Sequence, residues 1–356
     1  MYKIKPYFIH INIIYFKEGG TMNYMYKNNI LIKNSRDEMY MFNLGNDIVY
    51  TKLDSNFNKL YSNKLSEGCF SFVDVWLNID NEDKIYGVLN NKKGKLLEVE
   101  IKENDTDEYL LFKYDYKNFS IKFPYLEKVN NEYHIIYYLI NKKNPYYTSL
   151  LHIYKCDDKY IRNKIDYLNY NIMSNFIVTF NENTPSIFYF KYINNCEELF
   201  MSTFNLDTLK WSSPYQITNS KKNKIYLSSI KDNNGTCHIV FSEKNNNKYF
   251  CKHLKGNIIN DTFQVMKQSF VSSNLMCIFP SLIEQNSNIY IQWVEYFNLY
   301  TSKSKDYGDT WSLPILDKSI SDFPFVLYEF RSAKDNFNSA FGIRNYMHLK
   351  KFFDFK

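Results

Sequence analysis

Residues 279–295 read FPSLIEQNSNIYIQWVE, and residues 123–139 read FPYLEKVNNEYHIIYYL. Set together without gaps, the Phe-Pro pairs coincide, as do Leu126 with Leu282, Asn130 with Asn286 and Ile135 with Ile291, while Tyr137 falls on Trp293. A third stretch, SSIKDNNGTCHIVFSE at 228–243, puts Ile230 on Leu282, Asn234 on Asn286, Ile239 on Ile291, Phe241 on Trp293 and Glu243 on Glu295. Each copy reads as a strand, a polar turn, a second strand of alternating character, a short turn and a third strand. Weaker copies begin near Ile30, Phe70, Phe176 and Phe323. A period of roughly 45 to 55 residues is that of one four-stranded propeller blade. No long helical pattern intervenes, which argues against a parallel α/β fold. The expectation is an all-β chain forming a single β-propeller over residues 22–356. It has seven blades of four-stranded antiparallel sheet, with six as the alternative. The seventh copy lacks an outer strand, and MNYMYK at 22–27 would supply it by pairing the N-terminus into the last blade.

Composition supports strands. The 356 residues include 33 Tyr and 29 Phe, aromatic residues that favour the pleated sheet. Gly and Pro are scarce, at 10 and 8, so Asn takes over the turns, because it tolerates left-handed geometry. Arginine occurs only at Arg36, Arg162, Arg331 and Arg344; the remaining basic residues are lysine. That bias is mutational, of the kind an AT-rich, low-GC bacterial genome produces. The net charge of +6 is spread along the chain without a basic stripe, which leaves a nucleic-acid partner without support. Six cysteines without a CxxC pair read as reduced, buried thiols and place the chain in the cytoplasm. The opening MYKIKPYFIHINIIYF is interrupted by His10 and Asn12 and has no small-residue cleavage site, so it is not read as an export signal. KEGG at 17–20, just ahead of Met22, suggests that residues 1–21 are upstream sequence translated from a misassigned start. No stretch is long and apolar enough for a membrane span.

Residues 302–314 read SKSKDYGDTWSLP, and 304–311 fit Ser-x-Asp-x-Gly-x-Thr-Trp. This resembles the Asp-box (BNR repeat) of the sialidase-like β-propellers, in a diverged bacterial form. FNLDTLKW at 204–211 is similar to a degraded copy that keeps Asp207 and Trp211. Locally, Asp306 can accept backbone N–H bonds across the turn, Gly308 can take a positive φ, Thr310 can bond the backbone, and Ser304 opens the turn. Trp311 can then bury its ring between neighbouring sheets. In the family this turn joins the outer strands of a blade, away from the mouth where ligands bind. The resemblance therefore implies architecture far more than activity.

Sialidases of this superfamily would use three arginines on a carboxylate, a Tyr–Glu nucleophile pair and an Asp acid/base. Guanidinium forks suit a carboxylate, and an anionic group stabilises the oxocarbenium-like transition state. This chain has no Arg-Ile-Pro signature, and Arg331 is the arginine expected at the mouth. Cys237, His238, Cys251 and His253 invite a zinc reading. Cys237 and His238, however, point to opposite faces of one strand, so no metal site and no cofactor are expected. The acidic groups of DVWLNID (74–80) and SLIEQN (281–286) read as solvated turns. The functional expectation is a non-catalytic module that binds a saccharide or a protein partner at the propeller mouth. The alternatives are a sialidase-type exo-glycoside hydrolase and a structural or assembly protein.

Overall fold

A computed structural model describes residues 24–25, 29–102, 105–157, 159–169, 172, 174–272, 276–321, 324–332 and 334–343. The expectation for residues 1–21 lies outside the described residues, as does Arg344. The described chain is all-β apart from one short helix, Lys318–Ser321, and its strands form six sheets.

Six blades follow one another around a ring. Their inner strands are Asn29–Lys33, Val75–Ile79, Phe119–Val129, Ile177–Asn181, Lys224–Lys231 and Ile278–Gln285, the first of them with a further strand on its central side. Within each blade, successive strands pair antiparallel from the centre outward. Radial position decides burial. The second strands Ile85–Asn90 and Asn288–Glu295 are buried almost throughout, because both faces pack against neighbouring blades. The expected alternation is therefore absent there. It persists in outer strands such as Lys59–Glu67, where one side meets water. Asparagine does carry tight turns: Asn194–Asn195 and Asn246–Asn247 all have positive φ, the geometry of two-residue hairpin turns.

The expected seventh blade is not formed. The strand Phe325–Ser332 of the last repeat pairs in parallel with the inner strand of blade 1, Ile32 opposite Arg331. On its other edge it pairs antiparallel with Ser339–Ile343, while Asn336–Phe337 adds to the inner strand of blade 6. These strands thus close the ring between blades 6 and 1 instead of forming a sheet of their own. Tyr24–Met25 does pair with this last repeat, but in parallel beside Phe325 and Val326, not as an outer strand. Nor are all sheets four-stranded. Blade 4 splits its outer edge into Lys210–Trp211 and Tyr215–Gln216, and the sheet containing blade 1 holds seven strands.

The gapless repeat alignment holds between blades 3 and 6 and slips once in blade 5. Ser229, not Ile230, pairs with Ile239 as Leu282 pairs with Ile291. The turn after Lys231 is one residue longer than its counterpart after Glu284, with Lys231 opposite Cys237 and Glu284 opposite Ile289.

Candidate functional site

The inner strands of blades 2 to 6 and the closing strand surround a central cavity of about 470 Å³. Blade 1 contributes none of its inner strand, because Phe325–Ser332 lies in front of it. Three inner strands carry a bulge at the same place, between Lys122 and Tyr125, Ile225 and Ser228, and Ile278 and Ser281. In each, one aromatic residue sits in the left-handed region: Phe123 at φ 51°, Tyr226 at 60° and Phe279 at 53°. Large side chains rarely adopt that backbone, and such strain concentrates where function needs a fixed geometry. All three line the cavity with Phe72 and Phe176. Tyr226 and Phe279 pack with ring centroids 4.2 Å apart, and Phe72 and Phe123 lie 6.0 Å apart.

Beside this aromatic set is a buried polar one. The Arg331 guanidinium stands 3.8 Å over the Trp76 ring. It donates to the carbonyls of Phe330 (2.7 Å) and Asn338 (2.9 Å) and lies 3.7 Å from Glu329 Oε2. Burial lowers its pKa from the ordinary value, opposed by Glu329, Tyr125 and Glu127, and the group stays charged. Its Nε and the Trp76 indole N–H are both buried without a hydrogen-bond partner. The Tyr125 ring lies 4.7 Å from Trp76, and Glu127 accepts from Tyr86 Oη (2.9 Å), Tyr125 Oη (3.0 Å) and Asn78 Nδ2 (3.1 Å). Burial pushes the Glu127 carboxyl up despite these donors and the field of Arg331. Burial also raises the Tyr125 hydroxyl well above its usual range, and the Glu127 charge adds to that.

Arg331 is thus at the centre of the molecule. Arg36 is in a turn of blade 1, its side chain 67% exposed beside Glu38. Arg162 is on the outer strand of blade 3, against the Tyr160 ring. Three arginines therefore cannot meet in the cavity.

The turn at 304–311 lies elsewhere. Ser304 Oγ donates to Asp306 Oδ1 (2.7 Å) and accepts from the Gly308 N–H (2.7 Å). The Thr310 N–H donates to Asp306 Oδ1 (2.8 Å) and its hydroxyl to Oδ2 (2.5 Å). Hydrogen bonds from Thr310 and Ser304 hold the Asp306 carboxyl far below the usual range. Gly308, at φ 83°, faces His238 and His253 of blade 5, and the Trp311 ring lies 5.0 Å from His253.

Those histidines form a pair, His238 Nδ1 to His253 Nε2 at 3.0 Å, and His134 with His152 in blade 3 forms its twin at 3.1 Å. Trp211 of blade 4 donates its indole N–H to His152 Nδ1 (2.9 Å), as Trp311 of blade 6 faces His253. Asp207 is exposed, and in its turn Asn205 Oδ1 accepts from the Thr208 N–H (2.7 Å). Among the described residues no group of three His, Cys, Asp or Glu could hold a metal ion. Cys237 and Cys251 are free and buried in the core. Sequence reasoning missed Glu127, Trp76 and the left-handed aromatics. The coincidence of Phe123-Pro124 with Phe279-Pro280 was the signal for two of those aromatics, since it marks the bulge.

No protein-family model matches the chain. No curated protein matches it either. Solved structures do. One is an ulvan lyase, a polysaccharide lyase, bound to -[GlcA(1-4)Rha3S]-, with a TM-score of 0.57 at 9% identity, covering 89% of this chain and 93% of that one. Another structure of a polysaccharide-lyase ulvan lyase has a TM-score of 0.51 at 10% identity, with 86% and 87% covered. An α-L-arabinanase of Penicillium chrysogenum complexed with arabinobiose gives 0.49 at 11% identity, over 78% and 94%. The likeness is one of fold: this chain is a β-propeller.

Proposed function

We propose that the chain is a saccharide-binding propeller that holds its ligand in the central cavity without cleaving it. The observation that carries this reading is the set of aromatic rings placed on left-handed backbone around the cavity, next to buried Arg331 and Glu127. Ring faces suit the C–H faces of a sugar, and a few convergent polar groups fix its orientation. The guanidinium can donate to hydroxyl oxygens while the carboxyls of Glu127 and Glu329 accept from hydroxyls. A propeller of similar fold bound to -[GlcA(1-4)Rha3S]- supports the cavity as a saccharide site by analogy of fold alone.

Against sialidase-type cleavage stands the scatter of Arg36 and Arg162, together with a Tyr125 hydroxyl that holds its proton more tightly than a free tyrosine. We read residues 304–311 as an Asp-box of the sialidase-like superfamily with a structural role, since it packs on the histidine pair. The test is calorimetric titration of neutral and acidic oligosaccharides. Phe279→Ala and Arg331→Lys are each expected to weaken binding roughly five- to tenfold with an unchanged fold. Release of new reducing or unsaturated ends from a bound saccharide would replace the binding reading with an enzymatic one. Failure of every saccharide to bind would leave a structural or assembly role.

A further inference from the structure

A second cavity, of about 300 Å³, opens between blades 2 and 3. It adjoins the central one through the chain itself: Lys122 lines the cleft and Phe123, the next residue, lines the central cavity. The bulge at this point turns the two side chains into different spaces, which is what bulges do. In the other two bulged strands the residue before the left-handed aromatic is isoleucine, Ile225 before Tyr226 and Ile278 before Phe279. Ile278 packs against the core there. Blade 3 alone of the three places a lysine at this position.

The cleft is cationic. Lys92, Lys122 and Lys142 line it against a single carboxylate, Asp74. Asp74 is already engaged, accepting from the Ser71 N–H (2.9 Å) and hydroxyl (2.6 Å) and from Lys92 Nζ (2.8 Å). Lys142 Nζ donates to the Tyr116 carbonyl (2.5 Å). The neutral polar groups bond one another: Tyr114 Oη donates to Asn90 Oδ1 (2.7 Å), and Asn90 Nδ2 to the Ile121 carbonyl (2.9 Å). Among the described residues the Lys122 ammonium has neither an ion pair nor a hydrogen-bond partner, its backbone being paired with Tyr138. The cleft therefore offers unneutralised ammonium groups and no unengaged carboxylate, the chemistry that takes an oxyanion.

We propose that this cleft holds an anionic substituent (sulfate, phosphate or carboxylate) of the saccharide whose rings occupy the central cavity. The proposal rests on the saccharide reading above, and its test separates the two. Wild type, Lys122→Gln and Phe279→Ala are titrated with a neutral oligosaccharide and with its sulfated counterpart. Wild type is expected to bind the sulfated form about tenfold more tightly, the worth of a hydrogen bond to a charged group. Lys122→Gln loses that preference and keeps its affinity for the neutral form, whereas Phe279→Ala weakens both alike. Equal affinities on wild type, or a preference that survives Lys122→Gln, overturns the proposal. If neither saccharide binds wild type, the saccharide reading fails and inorganic sulfate decides the cleft. Sulfate, against chloride at matched ionic strength, must then raise the Tm of wild type more than that of Lys122→Gln; equal shifts overturn the cleft as an oxyanion site.

Discussion

Gly308 shows how one residue can couple two blades. A Cβ built there would stand 2.9 Å from the Cε1 atoms of both His238 and His253, and the backbone is at φ 83°. Alanine would thus meet a steric clash and an unfavourable left-handed backbone together. Gly308→Ala is expected to cost about 2 to 3 kcal/mol, read by urea denaturation. A loss under half a kcal/mol would mean that the turn is not seated on the histidines. The tautomers follow from the neighbours. Trp211 can only donate, so His152 Nδ1 accepts and its Nε2–H donates to His134. In blade 5, Asp232 Oδ2 lies 3.1 Å from His238 Nε2, so that nitrogen carries the proton and Nδ1 accepts from His253. Both pairs are neutral and oriented alike, with Trp311 where Trp211 stands in the twin.

At the scale of single elements, blades 4, 5 and 6 join their second and third strands by two-residue turns with both residues at positive φ. Blades 4 and 5 use Asn194–Asn195 and Asn246–Asn247, whereas blade 6 has Tyr296 and Phe297 at φ 47° and 63°. Both aromatic rings are displayed to solvent, 65% and 52% exposed, so no packing offsets the strain. Tyr296→Asn with Phe297→Gly is expected to stabilise the fold by about 1 kcal/mol, seen as a higher urea midpoint at unchanged slope. A destabilised double variant would show that the two rings make contacts that outweigh their backbone cost. Elements of this kind also mark what the sequence discloses. The repeat, the Asn turns and the structural turn at 304–311 are local patterns, carried by residues adjacent in the chain. The cavity is not local. Glu127 reads as one more exposed glutamate in FPYLEKV until Tyr86, from another blade, closes over it. Trp76 reads as strand packing until Arg331, from the far end of the chain, stacks on it.

For the whole molecule, blade count was the property least accessible from the chain, because a ring closes through long-range pairing that leaves no periodic trace. The Phe323 repeat has the composition of a blade, yet its strand Phe325–Ser332 pairs in parallel with blade 1. The two buried histidine pairs also give the molecule a shared response to acid. Burial pushes His134 down to about 4 and His253 to about 3, with the neighbouring His238 adding to the latter. Burial likewise lowers His152 and His238. A histidine unfolded near pH 6.5 and depressed in the fold binds its proton more readily once the chain opens. Its contribution is therefore whole above about pH 6.5 and is lost as pH falls toward 4, each histidine adding about 1.4 kcal/mol per pH unit to the slope. The carboxyls of Glu127 and Glu295, raised by burial, act in the opposite sense, so the comparison must be made with a variant. Urea denaturation of wild type should show stability falling steeply over this window. His134→Gln with His152→Gln should be less stable at neutral pH but flatter with pH, by the uptake of about two protons. Parallel pH profiles for the two proteins would mean that the pairs are already charged within the fold, and the neutral tautomers assigned to them would be wrong.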